Sequence, residues 1–200
     1  MTNIKNEIYS VLVTKGRYLV VEKGADFLTA RKLSEASGYS VGTIYNQFMN
    51  MDNYIIVQNM LTLDDVFLFL SRVEKNLNPY ENINRYMEKF VEFVGENANL
   101  WFLFYDFHLK KRTDRLPDEY VRKIVKLMKL FFEDFSLICG RVKVREQKVL
   151  KKVLWLALFS MSPFLTDDLF EKFRDVKKNT ACKILLNTYL AGISTLNGDL

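Results

Sequence analysis

The stretch that most constrains this chain is Thr29 to Phe48, TARKLSEASGYSVGTIYNQF. Thr29 is an N-cap residue for a short helix from Ala30 to about Ser37. Gly38 suits the left-handed position that ends such a helix. Ser40, after the single residue Tyr39, is a second N-cap, and a second helix follows from Val41 to about Phe48. Leu33 and Ala36 are apolar on the first helix, and Ile44 and Phe48 lie one turn apart on the second. Two short helices with facing apolar sides and a tight glycine turn form a helix-turn-helix.

The outer face of the second helix carries the chemistry. At roughly 100° per residue, Gly42, Thr43 and Asn46 point away from Ile44 and Phe48, with Val41, Tyr45 and Gln47 at the margins. That face is small, polar and uncharged. An amide reads a base edge, and a methyl touches thymine. Gly42 has no side chain to hold the helix out of a groove. The hydroxyls of Ser40, Thr43 and Tyr45, together with the helix N-terminal N–H groups, suit phosphate. Thr29 and Arg31, on the first helix, complete the candidate DNA contacts.

The spaced pattern T-x-R-x-L-x-E-x-x-G-x-S-x-G-T-I-Y-x-x-F resembles the DNA-binding signature of TetR-family transcriptional regulators. Thr29, Arg31, Glu35, Gly38, Ser40, Gly42, Thr43, Tyr45 and Phe48 carry it, and Gly24 fits the spacing after a first helix. Departures stand beside the matches. Gln47 occupies a position that is often His in the family, Met51 one that is often Lys, and Val41 one that is often basic. Met51 is unable to make the phosphate contact of that Lys. The resemblance implies a cytoplasmic bacterial regulator with a helix-turn-helix DNA-binding domain over residues 1–49. It also implies a helical regulatory domain over residues 50–200, for effector binding and dimerisation. Repression is the family's usual mode, with a small-molecule effector releasing DNA.

Composition agrees with an all-α chain. It is 49% hydrophobic and 14% aromatic, with three Pro and eight Gly in 200 residues, enough apolar material for a substantial core. The net charge of +5 permits an anionic partner without establishing one. The excess is not in the motif. Residues 1–50 hold six Lys/Arg against four Asp/Glu, whereas residues 101–150 hold twelve against seven. One copy would grip DNA weakly, so a homodimer is expected. Cys139 and Cys182 lack metal-ligand spacing and are expected to be reduced thiols of a cytosol. The N-terminal segment lacks the apolar core of a signal peptide, and no apolar run approaches the length that spans a bilayer.

Along the chain, a helix is expected over residues 3–22, ended by Gly24, with Gly16 allowing close packing on the motif helices. Asn50 caps a helix to about Leu77 that links the two parts. Pro79 begins another to about Glu96, and Asn97 to Asn99 is a break. Trp101 to His108 reads either as core or as a ligand pocket, with Phe90, Trp101, Phe104, His108 and Phe131 as candidate lining and an apolar or aromatic effector implied. The basic stretch from Lys110 to Lys129, which includes Lys111, Arg112 and Arg115, reads as a solvated face or as the mark of an anionic effector or partner. A helix from Pro117 to about Cys139 is closed by Gly140. Two last helices, Glu146–Ser160 and Asp168–Leu196, would pair with their symmetry copies as a four-helix interface, as the last helices of the resembled family do.

Enzyme chemistry finds little support. There is one histidine, no Glu-x-x-His pair, no phosphate loop and no nucleophile elbow. No catalytic residue, metal site or cofactor is assigned. Two alternatives stay open: a helical interaction module with a degenerate helix-turn-helix, suggested by Val41 and Met51, and an all-helical enzyme.

Overall fold

The computed structural model describes residues 2–110, 115–139, 142–166 and 178–196. Gly140, Lys111, Arg112 and Asp168, which entered the sequence reading, lie outside the described residues. Every regular element among the described residues is helical. In order these are α1 (Thr2–Lys23), α2 (Ala30–Ser37), α3 (Val41–Phe48), α4 (Met51–Ser71) and α5 (Pro79–Glu96). Then come α6 (Ala98–Leu109), α7 (Asp118–Phe132), the single turn α8 (Phe135–Ile138), α9 (Val144–Met161) and α10 (Lys178–Leu196).

The chain forms two compact units, Met1–Asp65 with Asn97–Lys123, and Val66–Glu96 with Ile124–Leu200. In the first, Leu12, Val20, Leu33, Ile44 and Tyr54 are fully buried. Gly24, at φ 89°, turns the chain after α1, with its N–H on the Val20 carbonyl at 2.9 Å. Gly16 does not interrupt α1. Its close contact is also not the expected one: the missing side chain makes room for Tyr54 of α4, not for α2 or α3. Tyr54 Oη donates to the Leu12 carbonyl at 2.7 Å and Gln58 Nε2 to the Val13 carbonyl at 2.9 Å. Arg17 adds bonds to Thr62 Oγ1 at 3.2 Å and to the Asp65 carboxylate, so α1 is fastened along α4.

Helix α4 is 21 residues long and, by length and composition, apolar enough to cross a membrane. The sequence expectation counted unbroken apolar runs, which Gln58, Asn59, Asp64 and Asp65 interrupt. Half of that stretch is buried inside the protein, including Gln58, Asn59 and Thr62, as in a core helix. The helix ends at Ser71 rather than near Leu77. Ser71 Oγ donates to the Leu68 carbonyl at 2.8 Å, and Val73 N–H closes a turn on Leu70. Asparagines organise the connection: Asn78 Oδ1 accepts from Tyr80 N–H at 3.1 Å, and Asn82 Oδ1 accepts from Asn76 N–H at 2.8 Å.

In the second unit Phe90, Phe131, Phe135, Leu154 and Leu186 are buried to completion or nearly so. Tyr189 Oη of α10 donates to the Leu150 carbonyl of α9 at 2.8 Å, and Tyr80 Oη of α5 to Asn187 Oδ1 at 2.6 Å. The expected single helix from Pro117 to Cys139 is divided at Glu133 and Asp134. Asp134 Oδ2 accepts from Asn82 Nδ2 at 2.8 Å there. The break at Asn97–Asn99 is also shorter than expected. Helix α6 begins at Ala98, and Asn99 Nδ2 donates to the Val21 carbonyl at 2.9 Å.

Candidate nucleic-acid interface

The helix-turn-helix is built from its caps outward. Thr29 is extended (φ −122°, ψ 158°), and its side-chain oxygen accepts the Lys32 N–H at 3.2 Å. Gly38 takes the left-handed conformation at φ 77°, and its N–H bonds the Ser34 carbonyl. Ser34 Oγ then donates to the Tyr39 carbonyl at 2.6 Å, which fixes the turn from within. Ser40 caps α3, its oxygen accepting the Thr43 N–H at 3.1 Å. Leu33, Ile44 and Phe48 bury the shared side, while Phe48 meets Tyr54 edge-on at 4.8 Å and Tyr9 at 5.1 Å between ring centroids.

On the opposite side Gly42, Tyr45 and Asn46 are exposed, and Val41, Thr43 and Gln47 are partly so. The Ser40 and Thr43 hydroxyls bond each other at 2.9 Å. Two hydroxyl protons share one internal bond, so one proton remains for an outside acceptor such as phosphate. Thr29, capping through its oxygen alone, likewise keeps a proton to donate. Arg31 is largely exposed, and its Nε bonds Glu35 Oε1 at 3.1 Å, while Lys32 Nζ reaches Glu35 Oε2 at 2.9 Å. The bonds from Lys32 and then Arg31 hold the Glu35 carboxyl below its ordinary pKa. Surface pairs of this kind, screened by solvent, contribute little to stability. Arg31 is therefore oriented without being withheld from a stronger anion.

Sequence reasoning missed one feature of this surface. Met49, between α3 and α4, sits at φ 69° and ψ −47°. Asn50 N–H closes onto the Phe48 carbonyl across it at 2.9 Å, forming a strained γ-turn. No glycine marks the position, and the neighbouring residues carry no signal of the turn. Asn50 then caps α4 through the Asn53 N–H at 2.8 Å.

The expected ligand residues fall into two aromatic clusters. In the first unit Trp101 stacks on Phe104 at 5.1 Å, and Phe104 lies parallel to Tyr120 at 6.1 Å. His108 Nε2 shares a 2.8 Å hydrogen bond with Tyr120 Oη. Burial lowers the His108 pKa and raises that of Tyr120. In the second unit Phe90 meets Phe131 at 5.6 Å, and both pack on Trp155. Cys139 and Cys182 are buried free thiols, the latter pushed up to about 12 by burial first and then by Glu88.

A capped helix pair with a glycine turn, behind a first helix and ahead of an all-helical remainder, defines the fold of TetR-family regulators, and this chain has that fold. It is similar to a transcriptional regulator from Rhodococcus sp. RHA1, at 14% identity and TM-score 0.67 over 92% of this chain and 96% of that one. A TetR-family regulator from Bordetella parapertussis matches at 12% identity and TM-score 0.61, over 95% of each chain. FadR from Bacillus subtilis, solved with stearoyl-CoA, matches at 14% and 0.57 over 92% and 98%. At such identities the likeness is one of fold. No protein-family model matches the chain, and no curated protein matches it in sequence.

Proposed function

We propose that this chain is a DNA-binding transcriptional regulator, a repressor that holds a near-palindromic operator as a homodimer and leaves it when a small molecule binds. The observation that carries the reading is the α3 surface. Gly42, Thr43, Tyr45 and Asn46 form an uncharged edge behind a capped N-terminus. Such an edge fits a major groove, where Asn pairs with adenine and a methyl with thymine. Residues 1–49 are assigned to DNA and residues 50–200 to effector binding and dimerisation, and the protein is assigned to the cytoplasm, where the DNA is. No catalysis is assigned.

Dimerisation is supported by an apolar stripe in the second unit. Val149, Val153 and Leu156 of α9 are 57%, 46% and 59% exposed, and Ile184 of α10 is 53% exposed. They recur at helical spacing on α9, so one face stands uncovered while Leu154, Trp155 and Leu158 fill the core. A second copy covers this face in the proposed dimer. Its two α3 helices then enter successive major grooves roughly 34–36 Å apart. Trp101, Phe104 and His108 on one hand, and Phe90 and Phe131 on the other, remain the proposed effector-sensing aromatics.

The test is selection of bound duplexes from a random pool, followed by titration at several salt concentrations. A near-palindromic consensus bound by a dimer, with affinity falling steeply with salt, supports the reading. No enriched sequence, or binding that survives deletion of residues 1–48, overturns it. Leu156→Glu should yield monomers in sedimentation and weaken duplex binding with it.

A further inference from the structure

Helices α7 and α9, with the end of α4, line a groove of about 700 Å³ in the second unit. Its floor is apolar: Phe67, Val125, Met128 and Phe132. Its rim is cationic: Lys126 and Lys129 from α7, Lys148, Lys151 and Lys152 from α9. The single carboxylate of the lining, Glu133, bonds Lys75 Nζ at 2.6 Å and so is already taken. None of the five rim lysines forms an ion pair among the described residues. Two lie over aromatic rings instead, Lys126 at 3.8 Å from the Phe67 centroid and Lys151 at 5.6 Å from that of Phe135.

Five like charges along one cleft repel one another and focus a positive potential into it. The volume is that of a small-molecule site, about 300–1,000 Å³. An inorganic anion would leave the apolar floor wet, and a neutral lipid would leave the lysines uncompensated. An occupant that answers both has an apolar body and an anionic head. We propose that this groove binds an anionic amphiphile, an alkyl chain ending in a phosphate or a carboxylate. The chain lies along Phe67, Met128 and Phe132, and the head sits among Lys129, Lys148 and Lys152. At roughly 100° per residue the apolar stripe of α9 (Val149, Val153, Leu156) is centred roughly 110° around the helix from the lysines, with Lys152 next to Leu156, so a dimer partner on the stripe borders the groove at Lys152. That occupancy also releases DNA rests on the regulator reading; occupancy itself does not.

The experiment is calorimetric titration of the full chain with decyl phosphate and with decanoate, each below its micelle-forming concentration. Decanol and inorganic phosphate are the controls. Saturable binding of at least one of the two amphiphilic anions, with neither control binding, is the expected result. The double variant Lys129→Glu, Lys152→Glu changes two exposed residues. It should weaken that binding by about tenfold or more with thermal unfolding unchanged. No binding of either anion overturns the proposal. So does equal binding of decanol, equal binding of phosphate alone, or undiminished binding by the variant. Repeating the titration on the duplex-bound protein separates the two readings. Occupancy without release removes the effector role and leaves the groove, whereas intact duplex binding with no occupancy removes the groove alone.

Discussion

A Cβ placed on Gly16 would lie 1.7 Å from the Tyr54 hydroxyl oxygen and 2.7 Å from the ring carbon that bears it. The hydroxyl is held there, donating to the Leu12 carbonyl while Gln58 Nε2 donates to it at 3.0 Å. Helix propensity alone favours Ala at this position by about 1 kcal/mol. The contact reverses the sign. Gly16→Ala must displace Tyr54 and cost about 1–3 kcal/mol for overpacking, with about 1 kcal/mol more for each hydrogen bond broken. Urea unfolding of the variant should show a lower midpoint, and a raised midpoint would contradict this contact.

Met49 gives the opposite prediction. Its γ-turn places a side chain at φ 69°, and that side chain is 81% exposed, so it gains nothing by packing. Glycine adopts this conformation without a Cβ clash. Relief of about 1–3 kcal/mol of strain outweighs the greater freedom of glycine in the unfolded chain, which is worth about 0.5–1 kcal/mol. Met49→Gly should therefore stabilise the protein by about 1 kcal/mol, read as a rise in the urea midpoint at an unchanged slope. No gain would mean that the turn is not strained.

These two residues mark the limit of what the sequence discloses. Thr29, Gly38 and Ser40 were legible because their work is local: each cap answers an N–H three residues on, or a carbonyl four residues back. The burial of Leu33, Ile44 and Phe48 followed from spacing alone. Gly16 announced a close approach but not its partner, because Tyr54 is 38 positions away and only the packing of α4 on α1 selects it. The lysines of α7 belong to a stretch that reads as a solvated face or as the mark of an anionic partner, and those of α9 carry no reading of their own, for the same reason. Nothing in either helix says that they border one groove. Loop chemistry misled where side chains override propensity, as at Ser71 and the Asn76–Asn82 connection.

The α2–α3 surface predicts two different losses on DNA. Asn46 is exposed on α3, so Asn46→Ala should leave folding unchanged. A bidentate base contact is worth about 1–3 kcal/mol of discrimination, so the variant should lose about ten- to hundredfold in affinity for the selected operator and relax one position of its consensus. Arg31→Ala should weaken selected and unselected duplexes alike and reduce the salt slope by about 1 per protomer. Freed of Arg31, Glu35 keeps its Lys32 bond, so stability should hold. Fluorescence anisotropy across a salt series separates the two behaviours. An Arg31 effect confined to one sequence would move that residue from phosphate to base.

His108 makes stability depend on pH in one direction. It is the chain's one histidine, and burial holds its pKa below the ordinary 6.5. The unfolded chain takes up this proton near 6.5, and the folded chain does so only at lower pH. Above 6.5 both states are neutral at this site and its contribution is complete. As pH falls through 6.5 toward the folded value, the unfolded state alone is protonated and stability declines. The hydroxyl that faces the ring, Tyr120 Oη, has its pKa raised by burial and stays neutral throughout. The Glu35 carboxyl is shifted away from this window, held down by its bonds from Lys32 and Arg31. Urea midpoints should therefore fall between about pH 7 and about pH 5.5. His108→Phe, which keeps a ring against Phe104, should be less stable at neutral pH because the Tyr120 hydroxyl loses its partner. Its midpoint should then stay level across that interval. A decline as steep in the variant as in the parent would assign the pH dependence to other groups.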